Sequence, residues 1–346
     1  MALKSLYGQL KQVPTPIGMT SKEIVIKTIE FDDPPRIPYS LYYHPTFGDI
    51  FDFFFMKWTD KKPNVKNGFY TDEWGVVWQN TKYAWGTAVR YPLSELADLA
   101  NYKFPKPITN KRLFVIAKVA KLAKRKRKYI VAPNYICMLE RMRSLMGVEK
   151  LILAPYEQPN RLEELLDILT NMTIDLLNKY NNSGLNLFDA FMTWEDWGSQ
   201  SRLLMSNDMF KKFYKPRYKR IVDAVHENGM HFIWHSCGYI MDLIPDMIDI
   251  GVDVVQIDQP RLLGHQQLID SLGGKMCMWN PVDIQWSTQN HITNNDIKKE
   301  IDDMINIYNI KKYKGGFIFR NYPDPQDINI SIERQKFINS TFIEMM

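Results

Sequence analysis

Cysteine is scarce in this chain: Cys137, Cys237 and Cys277 are the three among 346 residues. An odd, sparse set argues against a disulfide framework and for a reducing compartment, so a cytoplasmic location is expected. Long apolar runs are missing too. The oily stretch from Ile50 to Met56 is broken by Asp52 and is far too short for a membrane span. The first residues show no basic, apolar and small-residue succession of a secretory signal. Neither sign of charge dominates: 44 basic against 39 acidic residues leave a net +5, too little for nucleic-acid binding without a clustered patch. There is no low-complexity linker and no internal repeat.

Hydrophobic residues make up 45% of the chain, enough for one large barrel domain or two ordinary domains. Short β-rich runs alternate with amphipathic stretches, the pattern of βα units on a parallel sheet. The candidate strands are Ile37–Tyr42, Lys128–Pro133, Val148–Leu153, Leu187–Trp194, Met230–His235, Val252–Ile257, Lys275–Trp279 and Gly315–Phe319. Such a set predicts an α/β fold, a (β/α)8 TIM barrel. The whole chain, 1–346, reads as one domain, with an irregular aromatic-rich insertion around 47–110 over one barrel mouth. Helix punctuation agrees. Thr20-Ser-Lys-Glu23 forms a capping box, Ser206-Asn-Asp208 opens a helix that Gly229 ends, and Pro245 and Gly251 bracket another. The cluster Lys124–Lys128 reads as a helix C-terminus whose cations complement the dipole, with a nucleic-acid patch or a docking surface for an acidic partner as the alternatives.

The stretch from His231 through His235-Ser-Cys237-Gly to Ile250-Gly-Val-Asp253 carries the most information. With Phe31-Asp-Asp-Pro-Pro-Arg36-Ile-Pro, Asp72-Glu-Trp-Gly, Gly273-Gly-Lys-Met, Pro281-Val-Asp-Ile and Gly315-Gly-Phe-Ile, it resembles the uroporphyrinogen decarboxylase superfamily across nearly the whole chain. The fold implied is the (β/α)8 barrel of that superfamily. The decarboxylase itself fits poorly. Its polycarboxylate substrate needs arginines after the first strand, and here that region reads Pro38-Tyr-Ser-Leu-Tyr-Tyr-His44. The pattern is more similar to the corrinoid-dependent methyltransferase branch, which carries a zinc-binding His-x-Cys matched by His235-Ser236-Cys237. Independently of family, residues i and i+2 at a strand end project to one side, where an imidazole and a thiolate can close on one Zn²⁺. The bland alternative is a buried histidine and a buried small hydrophobe.

The methyltransferases complete their site with a cysteine near the last strand. This chain has none after Cys277 and reads Phe319-Arg-Asn-Tyr-Pro323 there. Cys277 or Glu195 is expected in its place, and the sequence does not choose between them. Glu195 and Asp196, at the end of a candidate strand, are candidate catalytic acids or loop caps. Cys137 reads as packing filler. Tyr39, Tyr42, Asp72, Trp74, Trp194, Trp234 and Arg320 are candidate substrate-binding residues, since an aromatic, little-charged mouth suits a flat apolar ligand. The resemblance implies zinc, a corrinoid (cobalamin) carried by a partner protein, and a small-molecule methyl donor. The function expected is transfer of a methyl group from a methoxylated aromatic compound to Co(I). The alternatives are methylation of a thiol such as coenzyme M, uroporphyrinogen decarboxylation, and a non-enzymatic corrinoid-protein accessory role. No nucleic acid or membrane is expected as a partner, and a homodimer is allowed without being required.

Overall fold

In the computed structural model, residues 12–41, 47–53, 64–81, 86–182, 186–322 and 325–346 are described. Eight strands form one parallel sheet in the order β1-β11-β10-β9-β8-β7-β6-β2. They are β1 (Tyr39–Ser40), β2 (Ile50–Asp52), β6 (Tyr129–Ala132), β7 (Ala190–Trp194), β8 (His231–Ser236), β9 (Val254–Ile257), β10 (Cys277–Asn280) and β11 (Phe317–Arg320). The order curls the sheet into a nearly closed (β/α)8 barrel. At the seam between its end strands, the Asp49 amide donates to the Tyr39 carbonyl at 2.7 Å. Beside it the Asp49 carboxylate takes both Arg36 Nη atoms at 2.7 and 2.8 Å and the Tyr39 amide at 3.1 Å. β3 (Phe69–Thr71), β4 (Val77–Gln79) and β5 (Thr87–Arg90) make a separate antiparallel sheet inside the 47–110 stretch.

Two sequence expectations change. Val148–Leu153 is not a strand: it lies in the helix Val148–Glu157. Leu151, Ala154 and Pro155 face inward at i, i+3 and i+4, while Val148 and Leu153 are exposed, which is helical and not alternating periodicity. The barrel strand that replaces it is β2, three residues long, inside the stretch expected to be irregular. The first candidate strand, Ile37–Tyr42, contracts to β1, and Tyr42 lies outside the described residues.

Strand alternation divides the apolar residues into two cores. Ile50, Tyr129, Val131, Ala190, Met192, Ile233, Val254, Cys277, Trp279 and Ile318 fill the barrel interior, with Val25 and Ile29 joining them from helix α1 (Ser21–Ile29). The intervening residues face the surrounding helices in the second core. Thr20 caps α1 through the expected capping box with Glu23. Lys124 and Arg125 end helix α2 (Asn110–Arg125), and Lys128 donates to the Gly48 carbonyl just before β2. The basic cluster therefore sits at the strands' N-terminal end, across the barrel from the mouth. Among the described residues, no helix is long and apolar enough to cross a membrane.

Candidate metal centre at the barrel mouth

The interior register places the site. Ile233 faces the interior, so His235 and then Cys237 follow on the same face two and four residues further on. β9 runs alongside with His235 paired to Gln256. Counting on from Met192 brings Trp194 and Asp196 to that face from β7. Asp196, His235 and Cys237 each offer a ligand atom within 4.8 Å of the others. Asp196 Oδ1 lies 3.4 Å from His235 Nε2, and Cys237 Sγ lies 3.7 Å from the same nitrogen.

The loops that carry Asp196 and Cys237 are hydrogen-bonded to each other. The Gly198 amide donates to the Cys237 carbonyl at 3.2 Å, the Tyr239 amide to Ser199 at 2.7 Å, and the Cys237 amide to Asp196 Oδ1 at 3.0 Å. Gly198 and Gly238 meet where the loops cross. A Cβ at Gly238, whose φ is +79°, would lie 2.3 Å from the Gly198 oxygen, and a Cβ at Gly198 would lie 2.5 Å from Gly238. Trp197 points outward and anchors the first loop against Phe210 and Tyr214, with ring centroids 5.1 and 4.8 Å away. Those two residues begin and end a π-helical turn, Phe210–Tyr214, in the helix that Ser206 opens.

The charges suit a cation. Burial opposes ionisation of Asp196, yet the hydrogen bond and charge of His235, the Cys237 amide and Arg143 outweigh it and hold the carboxyl well below the usual range. For His235, burial works against the imidazolium, but Asp196 and Asp258 prevail and raise its pKa. Burial, then Asp196 and Asp258, push the Cys237 thiol well above its ordinary value. A cation bound there would favour the thiolate. One imidazole, one thiolate and one carboxylate are a normal donor set for Zn²⁺, so the residues present fit the metal that the resemblance implies.

The expected site residues divide. Trp194 stands at the mouth, its ring 4.8 Å from that of His235. Arg320 closes β11 on the interior face, 3.9 Å from Asp258 and 5.4 Å from the centre of the Trp279 ring. Glu195 points the other way, outward between strand and helix. Its carboxylate accepts from the Leu139 and Glu140 amides at 2.8 and 3.2 Å and from Thr193 Oγ1 at 2.7 Å. It thereby caps helix α3 (Met138–Met146), whose own N-cap residue, Cys137, provides no side-chain cap. Burial drives its pKa up to about 7 against those hydrogen bonds. Cys277 does not join the centre. It opens β10 opposite Val254, two residues before the Gln256 level, in the apolar layer below. Tyr39 faces outward, edge-on to Phe47 at 5.9 Å, with its hydroxyl accepting from the Val13 amide. Trp234 is also outward, 4.2 Å from Tyr218. Asp72 organises a turn by accepting from the Trp74 and Val76 amides and the Trp78 indole, and Trp74 lies under Arg141 of α3, 4.1 Å away.

Gln256 and Asp258 did not emerge from the sequence as site residues. Counting by two from Val254 would have found them on the interior face beside His235.

The sequence model described as uroporphyrinogen decarboxylase (URO-D) matches residues 80–320. No curated protein matches the chain. Among solved structures, a methyltransferase from Methanosarcina mazei is 18% identical, with a TM-score of 0.53 over 75% of this chain and 72% of that one. Native xylanase 10B from Thermotoga maritima is 10% identical, with a TM-score of 0.48 over 94% of this chain and 99% of that one. At 18% identity the likeness to the methyltransferase speaks for the fold alone. The family match spans most of the chain, from the antiparallel sheet through the cluster of Asp196, His235 and Cys237 to the last strand, and this chain belongs to the uroporphyrinogen decarboxylase family.

Proposed function

We propose that the protein is a zinc-dependent methyltransferase that takes the methyl group of a small methoxylated aromatic compound and delivers it to the Co(I) corrinoid of a separate protein. The observation that carries this reading is the convergence of Asp196, His235 and Cys237 within 4.8 Å at the mouth. When bound there, Zn²⁺ would supply Lewis acidity at the ether oxygen. His235, Cys237 and Asp196 would hold it and leave a position for substrate. The ether C–O bond would break with its electron pair on oxygen, releasing the phenolate to solvent, and the methyl group would pass to the Co(I) corrinoid that the partner supplies. Trp194 offers the ring beside His235 for an aromatic substrate.

The donor set favours an ether over a thiol as substrate. Each thiolate on zinc lowers its Lewis acidity, which suits activation of a thiol and works against polarising an ether oxygen. With Cys277 in the layer below, a single thiolate remains. The decarboxylase reading gains no support from the first strand, because Arg36 is engaged by Asp49. The test offers guaiacol-type ethers with a reduced corrinoid protein and, separately, coenzyme M with methylcobalamin. Ether consumption that depends on both corrinoid and zinc is expected. Methylation of coenzyme M with no ether consumed would reverse the assignment.

A further inference from the structure

Behind His235 lies a buried polar chain that touches none of the ligand atoms facing the mouth. His235 Nδ1 meets Gln256 Oε1, Gln256 Nε2 donates to Asp258 Oδ1 at 2.8 Å, and Arg320 Nη2 lies 3.9 Å beyond on Asp258. Gln256 and Arg320 are fully buried and Asp258 nearly so. We propose that Gln256 and Asp258 are positioning residues that keep a proton on His235 Nδ1 and so leave Nε2 as the nitrogen that serves the metal centre. This deepens the metal reading above and rests on it for its purpose, though not for its geometry.

The logic runs through hydrogen-bond inventory. An ionised carboxylate only accepts, so the atom reaching Asp258 must be the amide nitrogen of Gln256. That fixes the amide with its oxygen toward His235. An amide oxygen also only accepts, so the ring nitrogen facing it must carry hydrogen. The opposite tautomer is a real competitor here. Asp196, 3.4 Å from Nε2, would draw the proton to that side and block the lone pair a metal needs. What tips the balance is burial. The Gln256 contact is dry, and losing it strands both the ring N–H and an Asp258 oxygen, whereas Asp196 is partly exposed and can take water instead. Partners of this kind on a metal-ligating histidine typically change metal affinity 10- to 100-fold, on the order of one to two decades.

The experiment has two arms on the full chain. In the metal-free protein, ¹H–¹⁵N spectra of ¹⁵N-histidine-labelled samples, with His235→Gln for assignment, should show a slowly exchanging His235 Nδ1–H. Gln256→Met should lose it, and Gln256→Glu, which keeps an acceptor at that spot, should retain it. Thermal melts establish that both variants are folded. In the second arm, zinc affinity by chelator competition should fall roughly 10- to 100-fold in Gln256→Met. An unchanged Nδ1–H signal in folded Gln256→Met, or zinc affinity within about twofold of the native protein, overturns the proposal. If the native protein binds no zinc while the spectra behave as expected, the metal reading falls and the positioning role stands.

Discussion

Gly238 and Gly198 do for the site what side chains could not. Their backbones touch where the Asp196 and Cys237 loops cross, and a Cβ at either position would lie 2.3 or 2.5 Å from the other loop's backbone, well inside van der Waals contact. Gly238→Ala also places a side chain at φ +79°, so strain and overpacking add. It is expected to cost more than about 2 kcal/mol and to weaken zinc binding sharply, read by thermal melting and metal titration. A native-like melt with native affinity would mean that the loops do not need this contact. Cys277 makes the opposite case. Cys277→Ala removes one buried sulfur from the barrel's apolar layer, so a loss of about 1 kcal/mol with full zinc content is expected. Loss of the metal would place that thiol in the centre after all. At this scale the sequence was partly legible. His235-Ser-Cys237 announces itself because two candidate ligands stand on one strand end. Asp196 and Glu195 could not be told apart, since adjacent residues leave a strand on opposite faces and only the register says which face is inside.

Among the elements, the strands with flanking helices were readable because each carries a run of β-branched or aromatic residues closed by turn chemistry, as in β8 and β9. β2 was not. Three residues in an aromatic stretch give too short a period to recognise, and what makes Ile50–Asp52 a strand is pairing with β6. Val148–Leu153 misled in the other direction: its composition suits a strand, while its burial follows a helix. The seam beside β2 depends on Asp49, which is fully buried and engages both Arg36 and the β1 backbone. Asp49→Ala leaves the guanidinium without its anion and opens the barrel where no ladder joins β1 to β2. A loss of about 3–5 kcal/mol is expected in denaturant unfolding. A loss under about 1 kcal/mol would show the barrel closing by other means.

For the whole molecule, the two ends of the barrel have different tasks. The N-terminal end is bound by charge pairs, among them His226 with Asp253 at 2.8 Å. The Asp253 hydrogen bond raises the His226 pKa over the cost of burial. A raised histidine stabilises the fold fully below its unfolded pKa of about 6.5, and the contribution disappears as pH rises through the folded value. The native protein should therefore exceed His226→Gln in stability below about pH 6 and match it in mild alkali. The pair is partly exposed, so the difference is held to under about 1 kcal/mol. A gap that widens with pH would contradict the assignment. The C-terminal end holds the cluster of Asp196, His235 and Cys237, the donor set proposed for zinc. X-ray absorption at the zinc edge reads that set directly. One sulfur at about 2.3 Å with the remaining scatterers nitrogen or oxygen near 2.0–2.2 Å, the sulfur lost in Cys237→Ser, is the result predicted. Two sulfurs on the metal, or a chain purified and reconstituted without zinc, would contradict it.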